Sequence, residues 1–179
     1  YNEYILFPIA DFYLKKERWN EAIEVYEEME TIGALKGRGA EYYQKLGYAL
    51  QKNKKYAEAI DAYLKADTLK PDNIWNNRHL AICYRLNRNY QAALSYYKKV
   101  EEATPESTNV IFHIGSCLAE LGQYEEAANY FFKLDFIESN CIKAWRGIGW
   151  CSFISRKYEQ AMKYYEKIIG QKPLAIDYM

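Results

Sequence analysis

The sequence predicts an all-α protein, a solenoid in which antiparallel helical hairpins follow one another along the chain. Three observations predict it. A motif returns every 34 residues, as YAEAIDAY (56–63), YQAALSYY (90–97), YEEAANYF (124–131) and YEQAMKYY (158–165). A second motif precedes each copy at the same step, as KLGYAL (45–50), HLAICY (79–84), HIGSCL (113–118) and GIGWCS (147–152). Pro71, Pro105 and Pro173 recur at one phase, with Ser139 in the remaining copy.

Taken in chain order, each unit reads as two helices. The first, at about 3–39, carries WNEAIEVY (19–26), displaced by three further residues, and ends in the long connection GALKGRG (33–39). The second, 40–73, shows the pattern most clearly. Tyr43, Leu46, Gly47 and Leu50 lie at i, i+3, i+4 and i+7, and so do Tyr56, Ala59, Ile60 and Tyr63, which puts each set on one helical face. The units at 74–107, 108–141 and 142–175 repeat it, and residues 176–179 would open a further helix, so a single array over 1–179 is expected.

Between the helices stand Asn53-Lys54-Lys55, Asn87-Arg88-Asn89, Leu121-Gly122-Gln123 and Ser155-Arg156-Lys157. Asn and Gly there suit the left-handed conformation that ends a helix. The periodic proline stops the second helix, since it has no N–H and clashes with the preceding turn. Gly47, Ala81, Gly115 and Gly149 on first helices face Ala22, Ala59, Ala93, Ala127 and Ala161 on second helices, so backbones can approach closely. The rings at 56, 90, 124 and 158, and at 63, 97, 131 and 165, are expected to fill the space beside them. One such hairpin cannot bury that surface alone, so stability must come from stacking.

Composition narrows the function. Half the residues are hydrophobic and 17% aromatic, which argues against disorder. Lys and Arg number 24, as do Asp and Glu, so no global field draws in nucleic acid or an anionic membrane. No apolar stretch approaches the roughly 20 residues of a spanning helix. Cys83, Cys117 and Cys151 lie one period apart, too distant on neighbouring helices for a disulfide, and are expected as buried thiols. Neither a metal nor another cofactor is expected.

These residues resemble the tetratricopeptide repeat, whose 34-residue pattern runs from a large residue through Leu-Gly and Tyr to Ala, an aromatic and Pro. The second copy, with Tyr43, Leu46, Gly47, Ala59, Tyr63 and Pro71, and the fifth, with Trp145, Ile148, Gly149, Ala161, Tyr165 and Pro173, fit best. The first has Ala10 for the Gly and no Pro, and the third has Asn77 where a large residue is usual. The resemblance implies a right-handed superhelix whose first helices line a concave groove for segments of other proteins.

The second, fifth, ninth and twelfth positions of each repeat should face that groove. They are Tyr4, Phe7, Asp11 and Leu14, then Glu41, Gln44, Tyr48 and Gln51, then Trp75, Arg78, Ile82 and Arg85. Asn109, Phe112, Ser116 and Ala119 follow, and finally Lys143, Arg146, Trp150 and Phe153. Tyr48, Trp75, Arg78, Ile82, Arg85, Phe112, Lys143, Arg146, Trp150 and Phe153 form the candidate partner-binding set, because rings beside Arg have the composition of binding hot spots. A protein or peptide segment with an apolar anchor and acidic residues would suit them. Some members of the family grip a chaperone's C-terminal carboxylate through Lys, Asn and Arg. The corresponding residues here, among them Gln44, Tyr48, His79, Asn109 and His113, do not reproduce that clamp.

No catalytic residues emerge. His79 and His113 share a phase but gain no further ligand for a metal, GALKGRG lacks the Gly-Lys-Ser/Thr of a phosphate loop, and no nucleophile and base share a phase. The expected function is therefore a non-enzymatic interaction scaffold. The alternatives are a self-associating assembly module or the docking arm of a larger protein. Recognition of single-stranded RNA would need a net basic groove, which Asp11, Glu41 and the zero net charge oppose.

Overall fold

The computed structural model of the chain describes residues 3–33 and 37–170, and every regular element among them is an α-helix. These are α1 (Glu3–Lys15), α2 (Trp19–Thr31), α3 (Gly39–Lys52), α4 (Tyr56–Leu69), α5 (Ile74–Leu86), α6 (Tyr90–Ala103), α7 (Thr108–Glu120), α8 (Tyr124–Ile137), α9 (Ile142–Ile154) and α10 (Tyr158–Gly170). None of them is long and apolar enough to cross a membrane. The side chain of Tyr4, residues 34–36, Pro173 and the helix expected at 176–179 lie outside what is described.

One turn closes all five hairpins. Lys55 N–H donates to Leu50 O and Lys54 N–H to Gln51 O, and the same pair of bonds recurs at Arg18/Glu17, Asn89/Arg88, Gln123/Gly122 and Lys157/Arg156. This is the Schellman arrangement, which satisfies the last carbonyls of a helix. It needs positive φ at the middle residue, and Glu17, Lys54, Arg88, Gly122 and Arg156 have φ of 56°, 64°, 60°, 77° and 60°. The expectation that Asn supplies this conformation is corrected, since Asn53 and Asn87 have φ of −79° and −84° and stand one residue earlier. An exposed Lys or Arg tolerates the left-handed region at about 1–2 kcal/mol, a cost that the two capping bonds offset.

Within each hairpin the small residues admit rings. A Cβ on Gly47 would lie 2.8 Å from the Tyr63 ring, and those on Gly115 and Gly149 would lie 3.0 Å from Phe131 and Tyr165. Ala22, Ala59, Ala93, Ala127 and Ala161 are all buried, as are Tyr63, Tyr97 and Phe131. The other expected row contributes less: Tyr56, Tyr90 and Tyr124 are half-buried and Tyr158 is exposed. All four cysteines are buried and outside any disulfide. Burial pushes the Cys83 and Cys151 thiols up to about 12 and about 11, so neither is a ready nucleophile.

The chain forms two compact units that divide inside α6, after Tyr96. In unit 1, α1 to α5 pack in sequence and the first helices α3 and α5 also touch. Its core holds Phe7, Tyr26, Tyr42 and Tyr63, and the buried Tyr42 hydroxyl donates to Tyr26 O at 2.7 Å. Phe7, expected on the groove, is covered instead by the Arg38 guanidinium 3.9 Å from its ring centroid. Arg38 belongs to the long first connection, which the other hairpins lack. In unit 2, α7 to α10 pack in sequence and α7 touches α9. Ile111, Leu134, Cys141 and Ala144 cluster there, and Trp145 Nε1–H donates to Asp135 at 2.6 Å.

Candidate functional site

Each unit presents a first-helix face, and the two faces differ. In unit 1, α3 and α5 bring Tyr48 and Trp75 together, with ring centroids 6.3 Å apart. Trp75 lies 4.0 Å from His79 and 6.0 Å from Tyr63, and Tyr63 stacks on His79 at 5.7 Å. Gln51 Oε1 accepts from the Tyr63 hydroxyl at 3.0 Å and meets His79 Nδ1 at 2.8 Å. An amide oxygen only accepts, so Nδ1 carries the imidazole proton. Burial, aided by the Arg78 and Lys52 charges, drives the His79 pKa down to about 4 and keeps the ring neutral. This face is filled by its own side chains, although Trp75 keeps 43% of its surface exposed. Arg78 is exposed beside it, and Ile82 and Arg85 are half-buried further along α5.

In unit 2 the corresponding space is open. A cavity of about 540 Å³ is lined by Phe112, Ser116, Ala119 and Glu120 of α7, Tyr124 and Phe131 of α8, and Lys143, Arg146, Gly147 and Trp150 of α9. Its size falls within the roughly 300–1,000 Å³ of ligand pockets. Phe131 is the floor. Its ring lies against Gly147, where a Cβ would approach to 2.5 Å, and against Gly115 of its own hairpin. Phe112 stands 6.0 Å from Phe131, and Trp150, 52% exposed, stacks on Phe153 at 6.4 Å. Lys143 Nζ sits 5.9 Å from the Phe112 centroid, a cation over a ring. Lys143 and Arg146 bring two positive charges to the lining against the single carboxylate of Glu120.

Four residues of the candidate set, Phe112, Lys143, Arg146 and Trp150, thus share one cavity, and Phe153 extends it through its stack on Trp150. Tyr48 and Trp75 come together in the ring cluster of unit 1. Sequence reasoning missed Phe131, Tyr124, Glu120 and Gly147. A signal for Gly147 was present, because it stands one period after His79 and His113.

Residues 6–33, 40–73 and 142–173 match family models described as Tetratricopeptide repeat. Residues 69–134 match one described as Anaphase-promoting complex, cyclosome, subunit 3. No curated protein sequence matches the chain. Among solved structures it is similar to "MamA MSR-1", with TM-score 0.82 and 24% identity over 94% of this chain and 95% of that one. It is also similar to "MamA 41-end from Desulfovibrio magneticus RS-1", with TM-score 0.83 and 18% identity over 96% and 97%. At such identities the likeness concerns the fold. The period, the hairpins and the matched models agree: this chain belongs to the tetratricopeptide repeat family.

Proposed function

We propose that this chain is a protein-interaction scaffold without chemistry of its own, which takes a peptide or helical segment of a partner on its first-helix faces. Tetratricopeptide repeats generally bind protein partners and are typically non-enzymatic. The observation that carries the reading is the unit-2 cavity, where an apolar floor of Phe131 and walls of Phe112 and Trp150 meet Lys143 and Arg146 at one opening. An apolar side chain buried there would recover about 25 cal/mol per Å² of surface removed from water. A neighbouring carboxylate would gain charge-assisted hydrogen bonds. Tyr48, Trp75, Arg78, Ile82 and Arg85 of unit 1 are proposed as further contacts of the same chemical kind.

Selection from a displayed library of random peptides tests this. Peptides with an apolar residue beside an acidic one should be enriched, and the double variant W150A/K143A should lose them while its helical circular dichroism stays unchanged. Peptides that bind the variant as well as the wild type would exclude the cavity.

A second reading, self-association, is favoured by the apolar residues Tyr158, Met162 and Ile169 exposed on α10. Light scattering across a concentration series separates the two, since a monomer at high concentration removes self-association.

A further inference from the structure

Two periods of 34 residues relate the filled face of unit 1 to the cavity of unit 2, residue by residue. Where unit 1 has Tyr48 and Gln51, unit 2 has Ser116 and Ala119. Where unit 1 has Tyr63 and His79, unit 2 has Phe131 and Gly147, and in place of Trp75 it has Lys143. Each replacement removes a ring, an amide or a hydroxyl; the Phe131 ring takes up the room beside Gly147, and the remainder stays open. The occupant of the position is therefore visible in unit 1, where the Trp75 indole lies on His79 and between Tyr48 and Tyr63.

We propose that the unit-2 cavity takes an aromatic side chain of the partner segment, in the place that Trp75 fills in unit 1, with a carboxylate of that segment held by Lys143 and Arg146. The inference rests on the scaffold reading above and names the ligand for its cavity. Three features support a ring over an aliphatic chain. Phe112, Phe131 and Trp150 offer faces and edges for aromatic pairing. Phe131 carries no hydroxyl and Gly147 no side chain, so the floor presents no polar group to desolvate, unlike the Tyr63–Gln51–His79 network of unit 1. Arg78 is retained as Arg146 and Trp75 is exchanged for Lys143, so the ring is lost from the chain while the positive charge beside its place increases. That charge complements an acidic ligand.

The experiment uses three small probes on the 1–179 chain, followed by NMR at the Gly147 amide and the Trp150 indole N–H. N-acetyltryptophan, with ring and carboxylate, should shift both signals to saturation. N-acetyltryptophanamide should bind about fivefold more weakly for want of the charge, and N-acetylleucine about tenfold more weakly for want of the ring. Lys143 is exposed, so its variants should fold. K143A should shrink the preference for N-acetyltryptophan over its amide, whereas K143W, which restores the internal indole, should reduce binding of the amide probe about tenfold or more. Equal binding of N-acetylleucine and N-acetyltryptophan would overturn the ring and leave the apolar-anchor reading standing. Undiminished binding to K143W would overturn the equivalence with Trp75. If none of the three probes moved either signal, the cavity reading itself would fall with the inference.

Discussion

In unit 1 the space above Tyr63 is taken by His79, Trp75 and Gln51, whereas in unit 2 the space above Phe131 is left open between Phe112 and Trp150. The backbone elements are the same, a first helix, a second helix and the next first helix. What differs is whether the chain's own side chains meet one another across the hairpins or stand apart. A filled position places rings and hydrogen bonds at the disposal of stability. An open one leaves ring surface without partner atoms, and that unspent contact is available to a ligand. Repetition lets both outcomes exist in one chain, because each hairpin needs only its buried small residues and rings to stack, and tolerates exchange at the positions between.

The comparison can be broken most forcefully at its floor. Tyr63→Ala and Phe131→Ala each remove a buried ring, with an expected loss of about 3–5 kcal/mol, measurable by chemical denaturation. Tyr63→Ala should lie at the upper end, because it also strips a partner from Gln51. A cost below about 1 kcal/mol for Tyr63→Ala would mean that the filled position does not stabilise unit 1. A smaller effect is expected from Gln51→Ala, which leaves the Tyr63 hydroxyl and the His79 N–H without their acceptor and should cost about 1–3 kcal/mol. The reciprocal Ala119→Gln adds an amide where Phe131 has no hydroxyl and Gly147 no imidazole to meet it, and should change stability by no more than about 0.5 kcal/mol.

A further effect is on pH dependence. His79 has its folded-state pKa lowered to about 4 from an ordinary 6.5, chiefly by burial. The folded state therefore binds fewer protons than the unfolded state between these values. Its contribution is fully present above about pH 6.5 and is lost as pH falls toward 4. The difference in melting temperature between the wild type and His79→Phe should shrink on acidification across this window. Unit 2 has Gly147, with no imidazole, at the position of His79. A difference that stays constant from pH 7 to 4 would show that His79 is not held neutral.

Much of the fold was legible because it depends on local spacing. Helix faces, the positions of the hairpin turns and the burial of the periodic Ala residues all follow from residues within one period, and the structure places them accordingly. The turns were legible in position but not in detail. Asn53 and Asn87 looked like the left-handed residues, yet the Schellman bonds set that conformation one step later, at Lys54 and Arg88, whatever side chain stands there. Phe7 kept the phase of a groove residue but lies beneath Arg38, since the first connection has a length the period does not describe. For the candidate site, the phase located Phe112, Lys143, Arg146 and Trp150. It could not reveal Phe131 as their floor, because Phe131 lies on a second helix and had been accounted for as core.

By itself the sequence determined that this chain is a succession of helical hairpins with aromatic and basic residues on the first helices, because a 34-residue period and a 3.6-residue turn leave no other way to bury its rings. Only the tertiary structure decided which of those residues surround a vacancy. A hollow is a property of three helices at once: Ala119, Phe131 and Gly147 are each ordinary in their own helix, and the space appears only where packing lays the Phe131 ring against Gly147 and sets the short side chains of Ser116 and Ala119 beside it.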